Sequence, residues 1–190
     1  MSEERIKILG IIGPSGCGKD TAARWLSDTF PNKYKFVKLH TTRPQRNEED
    51  DGYYFYSPAS FLEQVLNGNM LNAQEFRGWY YGLHKEALYK KYINVLPMNN
   101  EMMQQMREEN RDDYILKVIY IDTDDKQRLL HILARENNID CNEVCRRFLS
   151  DKIDYGEDLL KQCDYGIINR YTDAFYKTLQ RNAEACFVGD

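Results

Sequence analysis

The chain has 190 residues, 26 basic and 30 acidic, a formal net charge of −4, and 42% hydrophobic and 13% aromatic residues. This length suits one domain with small insertions and a full core. The acidic balance argues against a polyanion-binding surface, so no nucleic-acid partner is expected. Five cysteines form an odd count without close paired motifs, and no signal peptide or long apolar span is found, which predicts a reduced, cytoplasmic setting without membrane contact. Cys141 and Cys145 lack the second ligand pair of a zinc site.

Strands and helices alternate along the chain, which predicts an α/β domain with a largely parallel sheet. IKILGII, from Ile6, is apolar nearly throughout, as in a strand covered on both faces. KDTAARWLSDTF, from Lys19, puts Ala23, Leu26 and Phe30 on one helical face and ends at Pro31. YKFVKLHTT, from Tyr34, reads as a single second strand. Between Arg43 and Tyr56 the chain turns acidic and then aromatic, which suggests an insertion of short strands rather than another βα unit. SPASFLEQVLNG carries a cap, a helical period and Gly68 as its stop. KYINVLPM is expected as strand, NEMMQQMREEN as helix and YILKVIYID as strand. DDKQRLLHILARENN is a helix whose inner side should hold Leu129, Ile132 and Leu133. NEVCRRFLSDKIDYGEDLLKQ continues helical, YGIIN is the last strand, and TDAFYKTLQRNAEACF the closing helix.

GPSGCGKD, from Gly13, fits G-x-x-x-x-G-K between a strand and a helix. Its glycines let backbone N–H groups turn inward around phosphate oxygens, Lys19 meets the terminal phosphates, and the helix presents its positive end to the same anion. Asp20 stands where such loops carry Ser or Thr. Further on, Arg43 and Arg46 sit three apart, a spacing at which two guanidiniums grip one phosphate, and the hydroxyls of Tyr53 and Tyr81 add donors. The alternative is that these arginines neutralise Glu48, Glu49, Asp50 and Asp51 on a solvated loop.

TTRPQRNEEDDGYYFYS and EFRGWYYGL resemble the T-T-R-x-x-R-x-x-E, D/N-G-x-x-Y-x-F and G-x-Y-Y-G motifs of guanylate kinases, and DYGIIN resembles that family's D-x-V-I-V-N strand. The resemblance covers roughly residues 6–180. It implies a three-layer phosphate-loop kinase fold with its core over 1–39, 91–125 and 151–190, a monophosphate-binding lobe over 40–90 and a helical lid over 126–150. The implied reaction is ATP-dependent phosphorylation of a nucleoside or deoxynucleoside monophosphate to the diphosphate. By resemblance, ATP and Mg²⁺ would be held by Gly13, Ser15, Gly16, Cys17, Gly18, Lys19, Asp20, Thr21 and Asn169. The acceptor would be held by Arg43, Arg46, Tyr53, Asn72 and Tyr81, and the transferring charge stabilised by Lys19, Arg43, Arg135 and Arg146. His131 occupies a position where the family usually has an arginine, so that either the lid manages with fewer cations or Lys126 or Arg128 substitutes.

The departures gather where the family reads guanine. Asn72 stands in place of its Glu, Pro97 lies near its Asp, and Leu83 replaces a small hydroxyl residue. An asparagine amide offers one donor and one acceptor, which suits a pyrimidine edge or several bases better than two donors, so altered base choice is expected. INVLPMN also lacks the carboxylate that helps hold Mg²⁺ in the family, and Asp20 supplies one at the helix start as metal ligand. The competing reading makes Asp20 a first-turn acid favoured by the helix dipole, with Thr21 on the metal. Two other functions stay open: a guanylate-kinase-like module that binds protein without catalysis, and a kinase for a non-nucleotide acceptor. The intact Gly13, Gly16, Gly18 and Lys19 favour the enzyme.

Overall fold

The apolar run at Ile6 becomes the central strand β1 (Ile6–Ile12) because both its faces are covered. Leu9 and Ile11 pack with Ala22, Ala23 and Leu26 of helix α1 (Lys19–Thr29) and Phe175, Leu179 and Ala183 of α7 (Asp173–Ala185). Ile8 and Ile12 face the other way, onto Met102, Met103 and Met106 of α3 (Asn100–Glu109) and Leu159 of α6 (Glu157–Leu160). Period-two alternation on a strand thus builds a helix–sheet–helix sandwich, with one apolar core on each side. The computed structural model describes residues 5–45, 48, 50–76, 78–109, 112–134 and 140–189.

The main sheet is fully parallel, in the order β2 (Tyr34–Phe36), β7 (Ile93–Pro97), β1, β8 (Tyr114–Asp122) and β9 (Tyr165–Ile168). A second sheet, in the order β4 (Tyr53–Phe55), β3 (Leu39–Thr41), β6 (Trp79–His84) and β5 (Met70–Phe76), is antiparallel except between β3 and β4. It is the expected insertion of short strands. Helix α2 (Pro58–Leu66) packs on it through buried Phe61, whose ring stacks on Tyr80 at 5.6 Å. The expectation of one strand in YKFVKLHTT is corrected: Val37 N–H still donates to Val95 O of the main sheet (2.9 Å), whereas Leu39–Thr41 pairs in the second sheet. Alternation reports a half-buried extended backbone; it does not say which strand lies beside it.

The long helical run after residue 140 is also corrected. α5 (Cys141–Asp154) ends at Tyr155, and Gly156, in extended conformation, caps the separate α6. On α4 (Asp125–Ala134) the buried positions are Arg128 and Ile132, with Leu133 exposed, so the inner face is rotated from the one expected. The reason is electrostatic and lies in the site.

Candidate functional site

The loop after β1 has the conformation its glycines permit. Gly16 and Gly18 have φ of 81° and 90°, and a Cβ would come 2.5 Å from Arg128 O at the first and 2.8 Å from Asn169 Nδ2 at the second. These are places where only glycine fits. Gly18 caps α1, so the helix's free N–H groups open on the loop. The loop is braced from behind: Asn169 Nδ2 donates to Cys17 O (3.0 Å), and Tyr171 OH donates to Gly16 O (3.1 Å). Cys17 is buried, and burial pushes its thiol pKa up, so it packs as a neutral side chain.

In front of the loop lies a cavity of about 900 Å³ whose walls include Ser15, Gly16, Gly18, Lys19 and Asp20. Lys19 Nζ reaches Pro14 O at 3.4 Å. Thr21 is exposed and off this wall. The same cavity is lined by Arg43, Tyr53 and Tyr81, the tyrosine rings 5.9 Å apart. Arg43 is buried, ion-paired to Asp50 at 2.9 Å, and lies over the rings of Tyr53 and Phe55. Both readings of this segment therefore meet in one residue: Arg43 neutralises an acid and lines the cavity. Arg24, which the sequence did not single out, joins the same lining and pairs with Asp51 at 2.6 Å. Arg46 and Arg135 lie outside the described residues.

A buried ion pair ties the loop to the helical pair α4 and α5. Asp151 Oδ2 accepts from Ser15 N (2.8 Å) and from Arg128 Nη2 (3.1 Å), and Arg128 Nε donates to Ser15 O (3.0 Å). Both residues are 3% exposed. Burial of this guanidinium explains the rotation of α4, since Arg128 and Ile132 are one turn apart. Arg128, also paired to Asp125 at 3.1 Å, is committed to structure, and Lys126 is exposed. His131 instead sets Nδ1 3.4 Å from Gly16 O and its ring edge-on to Tyr171 at 4.3 Å. These two residues line a second cavity of about 550 Å³ with Asp124, Gln127, Asn169 and Arg170.

Of the neighbouring arginines on α5, Arg147 lines the main cavity and Arg146 does not. Successive helical residues point about 100° apart, so only one can face inward. Arg146 is exposed in a two-pronged pair with Glu143 (2.6 and 2.8 Å), and Arg147 meets the same carboxylate at 2.6 Å. Hydrogen bonding by Arg146, with a further contribution from Arg147, pulls the Glu143 pKa down to about 2. Of the pair expected in the lid, Arg147 thus reaches the cavity lining and Arg146 stands off it.

On the remaining wall stand Gln74, Phe76, Trp79, Pro97, Met98, Asn99 and Met102. Asn72 is buried one step further along the same face of β5, 3% exposed, and Leu83 is fully buried. A phosphate loop and an arginine–tyrosine wall share one cavity under a parallel sheet with an inserted lobe, and the model of the family Guanylate kinase matches residues 5–185. The chain belongs to the guanylate kinase family.

Its relatives in that family include the guanylate kinase of Helicobacter hepaticus, 30% identical over 85% of this chain and 82% of that protein. The guanylate kinase of a Nostoc species is 43% identical over a shorter match, 43% of this chain and 42% of that protein. Protein PALS1 of Danio rerio is 26% identical over 93% of this chain, which spans 27% of PALS1's length. The crystal structure of guanylate kinase from Anaplasma phagocytophilum shares the fold, with a TM-score of 0.65 at 20% identity, covering 99% of this chain and 88% of that one. No helix among the described residues is long and apolar enough to cross a membrane.

The sequence reading missed Asp151 and Gln74, which line the cavity. Gln74 carried a signal, since it alternates with Asn72 and Phe76 on one strand face. Asp151 carried none, because its partner Ser15 is 136 positions away.

Proposed function

We propose that this protein is a nucleoside monophosphate kinase, which moves the γ-phosphoryl group of ATP to the phosphate of a nucleoside or deoxynucleoside monophosphate. The observation that carries the reading is the pairing, across one cavity, of the Lys19 loop with Arg43, Tyr53 and Tyr81. The loop fits the phosphates of ATP: the positive φ of Gly16 and Gly18 lets it turn tightly into α1, and Lys19 and the N-terminus of α1 add positive charge. The second cavity, walled by His131 and Tyr171, suits the base of that donor.

Phosphoryl transfer depends on positioning and charge more than on covalent chemistry, so no protein nucleophile is required. Loop N–H groups and Lys19 hold the donor phosphates. Arg43, with Arg46 by family resemblance, and the two tyrosine hydroxyls orient the acceptor phosphate. Arg147, with Arg135 by resemblance, adds positive charge from the α4–α5 side; Arg146 would serve only at longer range. Asp20, on the cavity wall, would hold Mg²⁺ directly or through water. Among the described residues no group of three His, Cys, Asp or Glu side chains is placed to hold a metal by itself, so the ion would arrive with the nucleotide. When bound, it supplies neutralisation of the phosphate charge.

The test is ADP formation from ATP, Mg²⁺ and a panel of monophosphates. Lys19→Ala is expected to lower kcat by about 10²-fold or more with circular dichroism unchanged, and Asp20→Ser to raise the Mg²⁺ concentration needed for half-maximal rate. Substantial turnover by Lys19→Ala would overturn the mechanism, and an unchanged Mg²⁺ requirement would overturn the role of Asp20. One observation favours the non-catalytic module: Asp151 occupies the Ser15 N–H, a donor that a phosphate would use. Calorimetric titration with Mg-ATP separates the two readings, since the module predicts no binding.

A further inference from the structure

Two amide oxygens on β5, Asn72 Oδ1 and Gln74 Oε1, are buried and have no hydrogen-bond partner among the described residues. Buried acceptors are rarely left unpaired, and two on one strand face mark a place where a ligand completes the bonding. They sit two residues apart on one face of β5; Gln74 and Phe76 line the cavity, and Asn72 lies one step beyond that lining.

An isolated amide is two-faced, but each of these is wired to a group of a single polarity. The carboxylate of Glu109 only accepts, and both its oxygens lie 3.1 Å from Gln105 Nε2. Gln105 therefore turns its oxygen to Asn72, whose Nδ2 donates to it at 2.6 Å, and Asn72 is left presenting its own oxygen. In the second chain the backbone N–H of Met102, which only donates, meets Asn99 Oδ1 at 2.8 Å. Gln74 Nε2 donates to that same oxygen at 2.8 Å, which leaves Gln74 Oε1 as the amide's unpartnered acceptor among the described residues.

We infer that Asn72 and Gln74 form a neutral, acceptor-only reader of the monophosphate's base, that Gln105 and Glu109 are its positioning residues, and that the substrate's base carries an exocyclic amino group. This rests on the monophosphate kinase reading. Guanine brings an N–H and an amino group to such a wall, and adenine and cytosine bring an amino group beside a ring nitrogen. Uracil and thymine bring one N–H flanked by two carbonyl oxygens, which would face acceptor oxygens. The expectation that the Asn72 amide offers one donor and one acceptor, and so suits a pyrimidine edge or several bases better than two donors, is thereby replaced, since its donor is spent on Gln105. The described acids lining the cavity are Asp20, Glu48, Asp50, Asp51 and Asp151, none of them on β5 or α3. With dipoles in place of a carboxylate, the amino-bearing bases are separated from one another less than from uracil and thymine.

The experiment measures kcat/KM for AMP, GMP, CMP, UMP and their deoxy counterparts, with dTMP. The best amino-bearing substrate is expected to exceed UMP and dTMP by about tenfold or more, chiefly in KM. Glu109→Lys puts a donor where the acceptor was, which reverses Gln105 and then Asn72; the ratio should move toward UMP by about tenfold. Glu109→Gln still accepts and should keep the wild-type ratio. Equal use of UMP or dTMP by the wild type, or a Glu109→Lys effect uniform across bases, overturns the inference. No turnover with any monophosphate sinks the kinase reading instead. Calorimetric binding of the same panel then decides the reader: selective binding of amino-bearing bases supports it, and equal or absent binding overturns it.

Discussion

His40 shows how much a single side chain on β3 depends on which sheet face it meets. It is 6% exposed, packed among the rings of Tyr54, Tyr56 and His84 at 4.9, 5.1 and 5.4 Å, with Nδ1 unpartnered among the described residues. Burial first, and the neighbouring His84 second, lower its pKa from 6.5 to about 4. The unfolded chain therefore binds a proton that the folded one refuses between pH 6.5 and 4. Stability from keeping His40 neutral is complete above pH 6.5 and is lost as pH falls toward 4, by at most about 3 kcal/mol. The expected result is a urea midpoint that drops between pH 7 and 4.5, with His40→Phe showing a shallower drop; identical slopes would place the titration elsewhere. KLHTT gave no hint of this, since a histidine on an alternating strand reads alike whether it points into aromatic packing or into water.

At the scale of elements, the contact that sets the α4–α5 pair against the phosphate loop is electrostatic. Helical period and hydrophobicity put Leu129, Ile132 and Leu133 on the inner side of α4; Ile132 is buried as expected, but Arg128 joins it and Leu133 is exposed. What decided was a carboxylate 23 positions away, Asp151, which no local pattern announces. Removing one member of a buried pair strands the other charge, at a cost of about 3–5 kcal/mol, whereas removing both together costs less. Arg128→Met alone should fall in that range by chemical denaturation. Arg128→Met with Asp151→Asn, which keeps an acceptor for the Ser15 N–H, should recover at least half of the loss. If the double variant is no better than the single one, the pair is not what orients α4.

Over the whole molecule, what could be read in advance was what depends on periodicity and order. The parallel core, the phosphate loop between β1 and α1, and the insertion of short strands all follow from chain-local patterns. Where one alternating run splits between two sheets at Val37, and which of Arg146 and Arg147 turns inward, depend on neighbours distant in sequence. The cavity joins three such parts, the loop, the inserted sheet and the α4–α5 pair, so ligands that fill it should stabilise them as one unit. Ligand that binds only the folded state adds about 2.7 kcal/mol at a hundredfold excess over Kd. For a domain of this size that is a rise in Tm of about 5–10 °C. Calorimetric scans with a non-hydrolysable ATP analogue and an amino-bearing monophosphate, singly and together, should show each rise, and a combined shift larger than the sum if the helical pair closes over both. Under the proposed function, Lys19→Ala should lose the nucleotide's share and keep the acceptor's, because Lys19 belongs to the loop after β1 and Arg43, Tyr53 and Tyr81 to the inserted lobe. A variant that loses both shifts equally would mean that the two ligands do not occupy separate halves of the cavity.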